Sequence, residues 1–173
     1  DEQGSVLMEA TLQGILEQAL AQLLEAAPAP EVYDFMRYPY DCHNVKAAIK
    51  GFARGCDPRS MMFDFGTVGI EAIVDMVRNN RFEALPAHML AAAVEAGEAY
   101  AKTNDPQRVD MILDGACYAD MLDAAQGAPF CLALVKLKID LTNLLSLIRV
   151  LRMRSGEAGE RLLLDAWIEG GSL

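Results

Sequence analysis

Apolar residues recur along most of the chain at steps of three and four, the spacing of one helix face. The first stripe lies in residues 5–27, where Ser5 is the expected N-cap and Ala27-Pro-Ala-Pro30 the expected end. Similar stripes predict later helices over 40–54, 67–79, 85–102, 106–126, 130–154 and 157–167. No stretch alternates apolar and polar residues as a half-buried strand does. The pattern therefore predicts an all-α protein, a helical bundle.

Local signals suggest where some of these helices begin and end. Tyr38-Pro39 is expected to break the chain before the second helix, and Gly55 to stop that helix. Thr67 is the expected N-cap of the third helix, with Glu71 in its capping-box region. Gly170-Gly171 is interpreted as the stop of the last helix.

One short pattern occurs twice, at the start of the second helix and within the long helix near the end. Its shared positions lie 99 residues apart: Asp41, Asn44 and Lys50 in the first copy, and Asp140, Asn143 and Arg149 in the second. A repeat of this length is too long for a short-repeat solenoid and suggests a domain built once and used again. We therefore expect residues 1–127 to form a helical domain, and 128–173 the start of a similar one.

The repeated residues are interpreted as fold-defining rather than catalytic, because a catalytic acid is not expected in two separate domains. Buried polar groups require hydrogen bonds, so Asp41 and Asn44 are expected to tie their helix to the chain that precedes it. Lys136 lies one turn before Asp140 and is a candidate partner for it.

The composition of the chain argues against several classes of function. The formal net charge of −10 argues against nucleic acid as the main partner, which would need a basic surface. No run of about 18 apolar residues occurs, so no membrane-spanning segment is expected, and no signal peptide is recognised. The chain starts at Asp1 without Met, and both of its ends look cut from a longer protein.

Residues with catalytic or metal-binding chemistry do not form a recognisable site in the sequence. The four cysteines are widely spaced and are interpreted as free thiols in a reducing compartment. Cys42 and His43 are a candidate catalytic pair, but adjacent helical residues point about 100° apart, and ordinary packing is favoured. Four acids of one helix are interpreted as a solvated face or as salt-bridge partners of a neighbouring helix: Asp110, Asp114, Asp120 and Asp123. We expect no catalytic residue, no cofactor and no metal.

Four motifs, in order, resemble the C-subunit family of V-type ATPases and ATP synthases, which includes the archaeal and bacterial C subunits and the eukaryotic d subunits. They are Tyr40-Asp-Cys-His-Asn-Val-Lys46, Asp105-Pro-Gln-Arg-Val-Asp-Met-Ile-Leu-Asp114 with Tyr118, Ile139-Asp-Leu-Thr-Asn-Leu-Leu-Ser-Leu-Ile-Arg149, and Ile168-Glu-Gly-Gly-Ser-Leu173. The resemblance covers most of the chain from Tyr38 onward. It implies a funnel-shaped protein of three similar helical domains, of which this chain is a central fragment.

The resemblance also implies a function. The family is non-catalytic and works as a socket on the cytoplasmic side of the membrane ring of proteolipid subunits. It receives the D and F subunits of the central stalk and passes torque between them and the ring, for proton or sodium transport or for ATP synthesis. Two alternatives stay open at this point: an unrelated all-helical scaffold or adaptor, and an enzyme that uses Cys42 and His43.

Overall fold

Helices account for all of the regular structure in the computed structural model, which describes residues 2–27, 30–153 and 156–173. Seven α-helices lie within these residues: α1 (Glu2–Ala26), α2 (Tyr38–Ala53), α3 (Ile70–Asn79), α4 (Ala87–Thr103), α5 (Pro106–Ala124), α6 (Pro129–Met153) and α7 (Gly156–Asp165). Two 3₁₀ helices, Pro30–Met36 and Arg59–Met61, precede and follow α2. The described residues contain no strand, so the prediction of an all-α helical bundle is confirmed.

The core forms where α2, α3, α4 and α5 meet. Helices α4 and α5 are consecutive and pack along each other, joined by a turn in which Asn104 takes a left-handed conformation. Small residues of α4, including the buried Ala92, Ala93 and Ala96, allow this close approach. Helix α2 packs on α5 and α3, and the side chains of Val45, Ile73 and Leu113 are completely buried there.

The second half of the chain adds to this core from one side. Helix α6 packs on α5, and α7 packs on α6. Cys131, Val135 and Ile139 are the residues of α6 that enter the core. They recur every four residues and so lie on one face of the helix, which leaves the opposite face of α6 in solvent.

Several helix boundaries differ from the sequence-based expectations. Helix α1 begins at Glu2, so Ser5 lies inside it and is not its N-cap. The Tyr38-Pro39 pair begins α2 rather than breaking the chain before it, because proline is tolerated in the first turn of a helix. Gly55 follows α2 with φ +71°, as expected of a helix stop. Pro28 and Ala29, within the predicted end of the first helix, lie outside the described residues, as does Arg154.

The third helix shows the largest local difference. Helix α3 begins at Ile70 with Gly69 as its N-cap, and neither Thr67 nor Glu71 caps it. The hydroxyl of Thr67 donates instead to the carboxylate of Asp41. Glu71 forms a two-point ion pair with Arg59, at 2.8 Å for each oxygen. Both side chains therefore serve tertiary contacts that local capping patterns do not reveal.

Across the described ranges, with residues 1, 28, 29, 154 and 155 left aside, no helix is both long enough and apolar enough to cross a membrane.

Candidate functional site

Asp41 and Asn44 in the first two turns of α2 hold the segment of residues 63–68 by hydrogen bonds. Both side chains are 0% exposed. One oxygen of Asp41 accepts from the amide and the hydroxyl of Thr67 at 2.9 and 2.6 Å, and the other accepts from the amide of Val68 at 3.0 Å. The amide group of Asn44 donates to the carbonyl of Phe63 at 2.8 Å and accepts from its N–H at 2.9 Å. We call this arrangement the first clamp.

The same scheme recurs at the second copy of the motif, on α6. Asn143 donates to the carbonyl of Ile168 at 2.8 Å and accepts from its N–H at 3.0 Å. Asp140 accepts from the amides of Ser172 and Leu173 at 2.8 and 3.2 Å. This second clamp holds residues 168–173 as the first holds residues 63–68.

The two bound segments correspond residue by residue, although their sequences differ. The asparagine-bound residues, Phe63 and Ile168, are 105 positions apart, and so are Gly66 and Gly171. A Cβ atom on either glycine would overlap an oxygen of the aspartate that binds its segment. Glycine is therefore required at this point of each segment, so that the backbone can approach the carboxylate.

The structure corrects three sequence-based expectations about the motif and the segments that it binds. The motif side chains bind the segment that follows their helix, not the chain that precedes it. Within the described residues, no ion pair joins Lys136 to Asp140, whose carboxylate accepts from backbone amides instead. Gly170-Gly171 does not end a helix, since α7 ends at Asp165 and the glycines lie in the second bound segment. The fold-defining role of the motif residues stays a prediction.

Arg37, the residue just before α2, adds a further contact to the first clamp. Its guanidinium donates to the carbonyls of Phe65 and Gly66 and forms an ion pair with Asp34. Lys136 occupies the corresponding position 99 residues later. A lysine has a single flexible ammonium rather than a planar fork of donors.

Electrostatics at Asp41 reflect its position inside the protein. Burial raises the pKa of this carboxyl above its ordinary value, and hydrogen bonds from Thr67 and Val68 together with the charge of Arg37 act in the opposite direction. The donors thus offset part of the cost of taking a carboxylate out of water.

The acids of α5 do not form one solvated face. Lys46 and Lys50 of α2 reach Asp114 and Asp110 at 2.7 and 2.6 Å, so two acids join α5 to α2, as one of the two interpretations expected. Asp120 is buried, and its carboxylate accepts from the amides of His88 and Met89 at the start of α4.

Asp123 lies 3.0 Å from the ring of His88. Together with the buried cap from Asp120, this contact gives α5 a role in fixing α4. That role is not visible in the sequence, because the acids of α5 lie more than 30 residues along the chain from the start of α4.

Cys42 and His43 do not face each other. The Cys42 thiol donates to the carbonyl of Leu113 at 3.4 Å, inside the α2–α5 contact, while the His43 ring lies 2.8 Å from the carbonyl of Met61. A hydrogen bond with the Cys117 thiol and burial raise the pKa of Cys42 well above its ordinary value. A raised pKa disfavours the thiolate, which is the nucleophilic form of cysteine.

All four cysteines are free thiols, and three of them are buried, as expected of a protein without a disulfide frame. Over the described portion of the chain, histidines, cysteines and acids form no cluster of three that could hold a metal ion.

Taken together, the fold and the clamps define an all-α protein in which a helix with its bound segment is built twice. A family model described as ATP synthase (C/AC39) subunit matches the chain over residues 1–173. The chain therefore belongs to the ATP synthase (C/AC39) subunit family, and it is a rotary ATPase subunit. No curated protein and no solved structure matches the chain.

Proposed function

We propose that this chain is a non-catalytic central-rotor subunit of a V-type ATPase or ATP synthase. In this role it forms a socket at the cytoplasmic face of the membrane, receives the D and F subunits of the central stalk, and passes torque between them and the proteolipid ring. The transported ion is a proton or sodium. The family match over the whole chain carries the proposal, because it makes the chain a subunit of this kind of machine.

The clamps supply a physical reason why such a fold suits torque transfer. Loops are normally the parts of a helical protein that move most easily. Here the segments after α2 and α6 are each fixed by a buried asparagine and an aspartate that take up backbone groups on both sides of a glycine. A helix and its connection then respond to load as one packed body, and packed interiors deform little.

The same duplication supports the proposed domain division. Residues 1–127 contain the whole of the first clamp, and 128–173 contain the whole of the second. We propose that each clamp marks one of three similar helical domains of a funnel-shaped protein, and that the repeated motif residues, Lys50 and Arg149 included, define that domain.

The non-catalytic part of the proposal rests on the contacts of Cys42 and His43. Each side chain is engaged with a different backbone carbonyl, and the thiol is held in its protonated form. Cys42→Ala is therefore expected to leave ATP hydrolysis by the assembled complex unchanged. A loss of activity with an unchanged amount of assembled complex would argue for a catalytic thiol.

Reconstitution tests the socket directly. Purified proteolipid ring is immobilised in detergent and incubated with the D–F pair, with and without this chain. We expect the ring to retain D–F only when the chain is present. Equal retention without the chain, or failure of the chain to bind either partner while its circular dichroism shows folded helices, would overturn the proposal.

A further inference from the structure

A groove of about 380 Å³ lies between α1 and α6 within the single chain. Helix α1 packs on the 3₁₀ helix Pro30–Met36, and α6 packs on α5, so the groove has one of these long helices on each side. Its volume falls in the range of small-molecule sites in proteins, about 300–1,000 Å³. We call it the α1–α6 groove.

The floor of the α1–α6 groove is apolar and closed. It consists of Leu20, Phe35, Met121 and Val135, and each of these residues is at most 5% exposed. They come from α1, the first 3₁₀ helix, α5 and α6 respectively. The groove is therefore shaped by the packing of four elements and not by the position of one side chain.

The sides of the groove are also apolar, but they are open to solvent. Leu16, Leu23 and Leu134 line the groove and are 55%, 40% and 37% exposed. An apolar ligand that lay between them would remove this surface from water, which is favourable. The shape and the lining thus suit an extended apolar molecule.

Lys138 of α6 is the only charged residue among the described residues that line the groove. In the part of the chain that the structure describes, no carboxylate forms an ion pair with its ammonium. Burial against the surrounding side chains lowers the pKa of Lys138. A positive charge that is partly withdrawn from water and has no acid beside it gains from contact with an anion.

We propose that the α1–α6 groove binds a long-chain fatty acid, with the acyl chain along the apolar lining and the carboxylate on the ammonium of Lys138. Charge complementarity selects this ligand, since the lining offers one cation and otherwise almost no polar group. A nucleotide or a sugar would leave most of its polar groups without partners there. A neutral acyl chain would leave Lys138 unpaired. The inference does not depend on the proposed function.

Calorimetry with the purified, delipidated chain tests the class of ligand. Octanoate, dodecanoate and hexadecanoate are titrated below the concentrations at which they form micelles. We expect dodecanoate to bind more tightly than octanoate, by up to about fourfold for each methylene that is buried. Dodecanol, which has the same chain without the charge, is expected to bind at least about tenfold more weakly than dodecanoate. Dodecyltrimethylammonium is expected not to bind.

Two variants locate the site. Lys138→Gln should weaken dodecanoate at least about tenfold and leave dodecanol unchanged, whereas Lys136→Gln, at a lysine outside the groove lining, should change neither. Ala19→Phe places a ring in the groove and should abolish binding of both ligands, whereas Ala21→Phe on the same helix should not. Both alanines are exposed, so the fold is expected to survive, and circular dichroism verifies this.

Several results would overturn the proposal. Equal affinity for dodecanoate and dodecanol would mean that Lys138 selects no anion. A parallel loss of both ligands in Lys138→Gln would give this lysine only a structural role. Binding that persists in Ala19→Phe would place the ligand elsewhere, and no binding of any fatty acid would leave the groove without this function.

Mass spectrometry of the chain as purified identifies what the groove carries. Organic extracts of the wild type are expected to contain fatty acids that are depleted in extracts of Ala19→Phe and retained with Ala21→Phe. A phospholipid with two acyl chains, depleted in the same way in place of a monocarboxylate, would contradict the proposed ligand.

Discussion

The two clamps use the same acceptor groups but differ in what surrounds them. In the first, α2 is covered by α5 on one side and α3 on another, and Arg37 holds the bound segment as well. In the second, α6 rests on α5 along one face, and its opposite face is open to solvent. The comparison teaches that a clamp helix and its bound segment form without the covering helix. Burial of the clamp helix under a further helix therefore adds stability separately from the hydrogen bonds of the clamp.

The largest expected difference between the clamps concerns their asparagines. Asn44→Ala leaves the N–H and C=O of Phe63 without partners inside the protein, but Phe63 is partly exposed and water can reach it, so we expect the free energy of unfolding to fall by about 2 kcal/mol. Asn143→Ala removes the equivalent bonds to Ile168, which is buried and out of reach of water, so we expect a larger loss of about 3 kcal/mol.

Urea denaturation of both variants measures this difference, with hydrogen exchange to locate the opening. A larger loss in Asn44→Ala would mean that coverage of α2 by α5 and α3 matters more to a clamp than burial of the bound residue.

Substitution of the glycines in the bound segments is expected to cause the next largest loss of stability. Gly66→Ala and Gly171→Ala each place a methyl group on a clamp carboxylate oxygen, so we expect both to destabilise the protein by about 2 kcal/mol. Gly97→Ala is the matched control, because its new methyl group meets nothing within 4 Å and lies inside α4. It should raise stability by about 0.5 kcal/mol. Thermal unfolding of the three variants checks the order, and a neutral Gly66→Ala would show that the segment can shift away.

Substitutions on the outer faces of α2 and α6 are expected to change the free energy of unfolding less, and by different amounts. Lys46→Leu removes the partner of Asp114 in the half-buried α2–α5 contact and is expected to cost about 1 kcal/mol. Leu145→Lys makes the reverse change at the corresponding position of α6, where the side chain is exposed, and should leave the unfolding free energy of the single chain unchanged. Lys102→Leu, which breaks an exposed pair with Glu98, is the control for loss of a surface charge. Urea denaturation at low protein concentration compares the three variants, and an equal loss in Lys46→Leu and Lys102→Leu would mean that the α2–α5 pair behaves as a surface pair.

The smallest effect belongs to the exposed pair of Arg59 and Glu71, which lies outside both clamps. Hydrogen bonds from Arg59 lower the pKa of Glu71, so any stability from this pair is present above the ordinary glutamate pKa and is lost as pH falls through the lowered folded value. Glu71→Gln should therefore lower the melting temperature slightly at neutral pH and not at all in acid. A difference that persists at low pH would have another cause.

Sequence periodicity predicted the helices well, because burial along one face is a local property of each segment. The motif residues were also identified, since a repeat over 99 positions is visible in the sequence itself. The bound segment of the first clamp was missed, because its contacts with Asp41 join residues 26 and 27 positions apart and run through backbone groups. A comparison of Gly66 with Gly171, at the second spacing of 105, was the signal that could have found it.

Because the clamps bind mainly backbone groups, the sequences of the bound segments and of the connections before them can vary. Phe63-Asp-Phe-Gly-Thr-Val68 and Ile168-Glu-Gly-Gly-Ser-Leu173 are identical at one glycine and similar at the acid, hydroxyl and last aliphatic positions. They can differ elsewhere because, the Thr67 hydroxyl apart, the aspartate and asparagine of each clamp bind backbone amides and carbonyls. The connection before each segment varies as well, with a short 3₁₀ helix in one and the ten-residue α7 in the other. A clamp of this kind is suited to accept grafted sequence: a foreign loop between the helix and the asparagine-bound residue can change its length without moving either anchored end.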